Sequence, residues 1–288
     1  MKNRIKTKGL AFGVALIAST SVQAAGFALI EQSASGMGNA FSGAAAAEDA
    51  STIFFNPAGM TYIEGTQVVS ALHLISPNFE FRNNGSIEGA GRPNVGDEGP
   101  DAGDIAFVPN LYWVTDINSS MKFGVGVNAP FGLKTEYDDK WVGRFQAIKS
   151  EVKTININPS LAFKVNEQLS LGFGVSAMWA QAELTRQVNL GTAESDVKIK
   201  GDDWGFGFNL GAIYQATADT RFGLAYRSKV KQEIKGDAKF GSALSSKDSD
   251  ISARVDLPET FSANVFSKVN NKWDVMADAT WTRWSRFE

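Results

Sequence analysis

The sequence predicts an all-β protein: a transmembrane antiparallel β-barrel whose N-terminal segment forms a plug. Three observations carry this expectation: an export signal at the N-terminus, long runs that alternate apolar and small residues with period two, and a regular succession of short turns and long loops. The composition agrees. The chain has 288 residues with 28 Gly and 20 Phe, no Cys and one His. Absent cysteine excludes a disulfide scaffold and thiolate-ligated metals, and His73 has no second histidine to form a cluster. No metal, cofactor or catalytic residue is expected, so the reading is of a protein that is not an enzyme. After residue 25 no apolar stretch reaches the length of a membrane-spanning helix.

Taken in order, Lys2, Arg4, Lys6 and Lys8 precede an apolar run from Gly9 to Ala18 and then Val22-Gln23-Ala24. This is the pattern of a secretory signal peptide, residues 1–24, cleaved before Ala25. Its removal takes four cations and no acids, leaving 24 Lys and Arg against 31 Asp and Glu, a net charge of −7. An acidic exported chain is a poor partner for nucleic acid.

Residues 25–65 carry no strand pattern. They are rich in Gly, Ala and Ser, with Phe27, Leu29, Ile30, Phe41, Ile53, Phe54 and Phe55 interspersed. A flexible extension is one reading. The apolar content points instead to a compact plug, with a helix from about Ser35 that Pro57 terminates.

Residues 66–288 form the barrel. Trp204, Phe206, Phe208, Leu210, Ala212 and Tyr214 share one parity, with Gly205, Gly207, Asn209 and Gly211 on the other. Leu169 to Trp179 and Ile155 to Val165 repeat the pattern, one greasy face and one small polar face. A soluble β-sandwich also alternates. Here Trp204, Tyr214, Trp179, Trp273 and Trp281 stand near the ends of apolar rows, where the interfacial girdles of a membrane barrel lie. Short turns are expected at Asp116–Asn118, Val165–Glu167, Thr217–Asp219 and Val269–Asn271, and long outer loops at Asn83–Asp104, Ala129–Ser150, Gln187–Asp203 and Gly236–Asp250. The runs amount to about nine strands. Bacterial single-chain barrels have an even number, so the expectation is that the barrel is incomplete at its C-terminus.

The mature start Ala25-Gly26-Phe27, the stretch EQSASGMGNAFSGAAAAEDASTIFFNPAGM, and the segments FVPNLYWV, APFGLKTEYDD, WGFGFNLG, LPETF and WTRWSRF together resemble the FadL family of outer-membrane long-chain fatty-acid transporters. The resemblance covers the mature chain. It implies a barrel of about 14 strands, plugged by an N-terminal hatch, that takes up a hydrophobic acid passively. The acid is caught in an outer groove, moves to an inner site and leaves sideways into the bilayer at a kink in the third strand. Burial of the tail contributes roughly 0.8 kcal/mol per CH₂. Carried over residue by residue, Asn56, Pro57 and Ala58 match the hatch motif, and Phe27 the N-terminal aromatic that reaches the inner site. Phe131 and Gly132, after Pro130, fall at the kink, or else at an ordinary strand end. Arg186 matches the basic residue that meets the carboxylate, or else pairs with a hatch acid. Leu133, Tyr137, Trp141, Val142 and Phe145 offer apolar surface for the outer groove, although Trp141 also suits a headgroup anchor.

The implied partners are a long-chain fatty acid or other hydrophobic small molecule, outer-membrane lipid and lipopolysaccharide, with the protein a monomer. The stretch 187–203 is shorter than in typical fatty-acid transporters, which keeps a neutral cargo of the toluene type open. A general porin and a barrel enzyme are the remaining alternatives. The plug disfavours the first, and the lack of a GxSxG, Walker or GxGxxG motif the second.

Overall fold

The computed structural model describes residues 27–87, 96–191 and 193–286. The signal peptide at 1–24 lies outside these residues. Twelve β segments follow in chain order: β1 (Gln67–Ile75), β2 (Ala106–Asn118), β3 (Met121–Asn128), β4 (Gly132–Glu136), β5 (Lys149–Lys164), β6 (Leu169–Asn189), β7 (Glu194–Gln215), β8 (Thr220–Arg227), β9 (Val230–Phe240), β10 (Ser249–Leu257), β11 (Thr260–Asn270) and β12 (Trp273–Thr282). They occupy nine positions in one antiparallel sheet. β3 and β4 both pair with β5, and β8 and β9 both pair with β7. β10 pairs with β9 and β11 with β8, so each couple is one wall strand with an interruption. The chain adopts the β-barrel type of wall expected from its alternation.

The alternation decides which face is which. Phe206 is 74% exposed and Trp204, Phe208 and Leu210 stand exposed beside it, whereas Gly205, Asn209 and Gly211 are buried. An apolar outer face with a polar inner one inverts the arrangement of a water-soluble sandwich and fits lipid outside. From Tyr214 to Trp204 the row spans about 33 Å of strand, or about 25 Å of height at a tilt near 40°, the apolar band of a membrane barrel. Inside, Asn158 donates to Val175 O at 2.7 Å and to Asn209 Oδ1 at 2.9 Å, and Asn156 donates to Asn128 Oδ1 at 3.1 Å.

A short turn joins strands at or next to each of the four expected places, the first at Ser119–Ser120, just beyond Asp116–Asn118, which are the last residues of β2. Of the expected long loops, Gln187–Asp203 is mostly strand and Gly236–Asp250 is strand at both ends. β6 and β7 run in continuous register out to Asn189↔Glu194, and β9 and β10 pair out to Ala238↔Ser249. Polar residues there read as loop because both faces of a strand beyond the bilayer meet water.

The N-terminal segment lies against the inner face of the sheet. It has no continuous helix from Ser35 to Pro57. It forms α1 (Ala34–Gly38), α2 (Thr52–Phe55) and a 3-10 turn at Pro57–Tyr62. Ala40, Phe41 and Ala47 adopt positive φ, which reverses the chain between α1 and α2. Ile53 and Met60 are fully buried against Tyr112, Val114 and Ala162, each contributing roughly 1.5–3 kcal/mol by burial. Asn56 fastens the turn. Its Oδ1 accepts the Ala58 N–H at 3.1 Å, and its Nδ2 donates to Ala212 O and Leu224 O, both at 3.2 Å. Pro57 and Ala58 sit so close to Gly172 that a Cβ there would overlap their backbone. The inner glycines are therefore the surface on which this segment seats.

Candidate functional site

The wall has a gap, and local chemistry explains it. β2 pairs with β1 along Ala106–Asn110, but its ladder to β3 begins only at Leu111↔Val127. Beyond Asn128 the next strand is interrupted at Ala129, Pro130 and Phe131, where Pro130 has no N–H to donate. From Asn128 to Gly132 four residues advance against three of β5, from Asn156 to Lys153, a bulge of one residue. The extra residue turns Phe131 inward, where it is 7% exposed. Its N–H donates to Thr154 Oγ1 at 3.0 Å and its carbonyl accepts from the same hydroxyl at 2.8 Å.

The start of the described chain supplies the missing partner. Ala28 bridges Phe131, Leu29 N–H donates to Pro130 O at 2.9 Å, and Gly132 N–H donates to Phe27 O at 2.8 Å. Gln32, fully buried, donates to Ala129 O at 3.0 Å and to Leu29 O at 2.9 Å. On the other flank Asn110 donates to Glu31 O at 2.9 Å and Tyr112 to Gln32 O at 2.9 Å. Phe27–Gln32 thus bridges the two sides of the gap as a short extra strand. The Phe27 ring lies 5.6 Å from that of Phe131 and 5.1 Å, edge-on, from Trp284. Met178, Val230 and Leu257 pack around this cluster.

Next to it is a lumen cavity of about 230 Å³, lined by Leu29, Ile30, Phe54, Phe55 and Phe131 among other groups. The cation in its lining is Arg227. This side chain donates to Phe54 O at 2.8 Å and to Ser176 Oγ at 3.4 Å and lies 4.6 Å over the Phe54 ring. No carboxylate ion-pairs with it among the described residues. Asp278, also in the lining, accepts the Ala44 N–H at 3.2 Å.

Residues 15–288 match the family model described as outer membrane protein transport protein (OMPP1/FadL/TodX). The chain belongs to the FadL family. A long-chain fatty acid transport protein of Escherichia coli is 30% identical over 330 residues, covering all of this chain and 72% of that protein. Outer membrane protein P1 of Haemophilus influenzae is 31% identical over 315 residues, covering 94% and 68%. The crystal structure of a Pseudomonas aeruginosa FadL homologue superposes with a TM-score of 0.75 at 26% identity, over 91% of this chain and 70% of that one. The Ralstonia pickettii toluene transporter TbuX shares the fold, with a TM-score of 0.63 at 21% identity over 82% and 67%. This FadL-family chain is accordingly an outer-membrane transport protein, and its family comprises transporters and channels rather than enzymes.

Within the FadL-family architecture, the residues singled out from the sequence divide into three places. Phe27, Phe131 and Gly132 meet at the gap, and Asn56, Pro57 and Ala58 at the inner glycines. Arg186 stands exposed on the outer part of β6, opposite Val197. It lies six residues, about 20 Å, beyond Ala180, the partner of Thr154 at the level of Phe131, and it is not in the cavity lining.

The outer residues form a loop core. Tyr137 stacks on Trp141 at 3.8 Å, Phe81 meets Trp141 edge-on at 5.3 Å, and Trp141 and Val142 are buried with Ile148. Phe145 lies under the Arg144 guanidinium at 4.3 Å, and Leu133 is 37% exposed on β4. Sequence reasoning missed Arg227, Gln32 and Trp284. Arg227 ends the inward row of Arg221, Gly223 and Ala225, so parity gave its face but not its height against Phe54 and the cavity. Gln32 and Trp284 carry no local signal, because their partners are distant in sequence.

Proposed function

We propose that the protein takes up long-chain fatty acids passively, binding the acyl chain in the lumen cavity with the carboxylate on Arg227 and releasing it sideways between β2 and β4. The observation that carries this reading is a cation in the wall of an apolar cavity that no carboxylate among the described residues ion-pairs. Two of its five donors are taken by Phe54 O and Ser176 Oγ, and a carboxylate suits the guanidinium fork. A neutral hydrocarbon leaves that charge unmatched, which favours an acid over a toluene-type cargo. Arg227 replaces Arg186 in this assignment because Arg186 is too far out to reach the cavity. Phe27–Gln32 acts as the door. It is held by hydrogen bonds and one aromatic cluster, which an arriving acyl chain can displace.

The test is equilibrium binding of labelled oleate and of toluene to the full-length protein. Arg227→Met is expected to weaken oleate about 10- to 100-fold, the loss of one charged hydrogen-bonded contact, while leaving toluene unchanged. Arg227→Lys is expected to fall between, and Arg186→Met to bind as wild type. Unchanged oleate binding in Arg227→Met overturns the carboxylate assignment.

A further inference from the structure

The outward face changes character above the apolar band. Trp179 pairs with Trp204 on β6 and β7 and marks the band's edge on the side of the longer connections, the outer side. Two outward positions further on, about 13 Å along the strand and about 10 Å in height, the pairing places Glu151, Glu183 and Lys200 in one row. Lys149, Thr185 and Lys198 form the next row outward. Lys153 lies one outward position nearer the membrane than Glu151.

Glu183 organises this cluster. Its carboxylate, 10% exposed, meets the ammonium groups of Lys198 at 3.0 Å, Lys149 at 3.2 Å and Lys200 at 3.5 Å. Glu151 meets Lys149 at 3.0 Å and Lys153 at 3.9 Å. On the same face Lys134 and Glu136 of β4 stand opposite Glu151 and Lys149, Asp202 shares the row of Lys153, and Asp237 stands opposite Lys200, so what the cluster offers outward is exposed ammonium groups rather than a surplus of charge. Lys153, Lys198 and Lys200 remain about half exposed. Each ammonium has three donors, so donors remain for an outside ligand. The cluster faces the bilayer side of the wall, at headgroup height, where the outer leaflet of an outer membrane presents phosphorylated glycolipid.

We propose that Lys149, Lys153, Lys198 and Lys200, ordered around Glu183, bind the phosphates of lipid A, the membrane anchor of lipopolysaccharide. Charge complementarity at fixed height selects this occupant. Phosphate oxygens accept from several ammonium groups at once, and the acyl chains below continue along Trp179, Trp204 and the apolar row. The site is independent of the cargo and of Arg227.

The experiment uses the full-length protein purified from outer membranes. Titration with lipid A bisphosphate is followed through the fluorescence of its tryptophans, among them Trp179 and Trp204, and through native mass spectrometry of the bound lipid. Wild type is expected to bind lipid A at least tenfold more tightly than dephosphorylated lipid A or phosphatidylglycerol. Lys198→Gln with Lys200→Gln is expected to lose at least tenfold, with heat-modifiable gel migration reporting that the barrel remains folded. Lys198→Arg with Lys200→Arg keeps the charge and is expected to bind as wild type. Lys268→Gln with Lys272→Gln, which removes the same charge at the inner end, is expected to change nothing. Equal binding of dephosphorylated lipid A or phosphatidylglycerol, unchanged binding in the first double variant, loss in the arginine variant, or equal loss in the inner-end control overturns the proposal.

Discussion

The carbonyl of Phe27 accepts the N–H of Gly132 at 2.8 Å, so the N-terminal segment completes the backbone pairing that the kinked wall strand lacks. An unpaired N–H facing hydrocarbon costs several kcal/mol. Phe27–Gln32 is therefore held by the same force that closes the rest of the wall, and displacing it requires the freed groups to find other partners. That makes the contact a natural point of control.

Covalent closure of this contact should stop transport. Ala28 and Phe131 are bridge partners, the spacing of such pairs falls within disulfide reach, and the chain has no cysteine to interfere. Ala28→Cys with Phe131→Cys is expected to reduce oleate uptake to background when oxidised and to recover when reduced. Uptake that ignores the redox state would show that the cargo leaves by another route.

Gly172 seats the Pro57–Ala58 turn, and its replacement should unseat it. A Cβ there meets Pro57 C and Ala58 N, backbone atoms that cannot swing away as a side chain can. Gly172→Ala is expected to destabilise the folded protein by about 1–3 kcal/mol, read as a lower midpoint in heat-modifiable gel migration. A midpoint equal to wild type would mean that the turn shifts without cost.

Arg144 ties the outer loop to the β6–β7 hairpin. Its Nη2 and Nε donate to Glu194 at 2.7 and 3.1 Å, and its Nη1 to Trp141 O at 3.3 Å. Arg144→Ala is expected to loosen residues 137–148 by about 1–3 kcal/mol, seen as faster chymotrypsin cleavage at Tyr137 or Trp141 in intact cells. Cleavage at the wild-type rate would assign the loop's order to the packing of Phe81, Tyr137, Val142 and Ile148 around Trp141.

The outer hairpin should weaken in acid. Partial burial alone would raise the Glu183 carboxyl, but hydrogen bonds and charges from Lys198 and Lys149 outweigh it and hold it at about 2. A folded value below the ordinary carboxylate range means that the stabilisation is fully present above about pH 4.5 and is lost as pH falls towards 2. Limited proteolysis of the hairpin with pepsin between pH 5 and 2 is expected to accelerate with acid in wild type, beyond the protease's own pH dependence. Glu183→Gln should flatten the profile, and equal profiles would remove Glu183 as its cause.

The sequence by itself determined the wall: which face of each strand meets lipid, the number of strand positions, and where the short turns fall. Parity is local. Each residue's face follows from its neighbours two positions away, so Trp204 to Tyr214 declared their side without reference to any partner. The assignments of Asn56–Ala58 and of Phe131 came instead from the resemblance to the FadL family, with the backbone limits of Pro57 and Pro130 as their local support.

Tertiary structure alone decided what stands together in the lumen. Phe27, Phe131 and Trp284 converge from three distant parts of the chain, and Arg227 rather than Arg186 reaches the cavity. Strand parity gives a side chain's face but not its height relative to other strands. One-residue bulges, such as those after Asn128 and Arg227, shift both. The outer residues Tyr137, Trp141 and Val142 offered apolar surface in sequence, but whether such surface lines a groove or fills a loop core depends on Phe81, Ile148 and Glu194. Those partners are assembled only when the outer loops pack on one another.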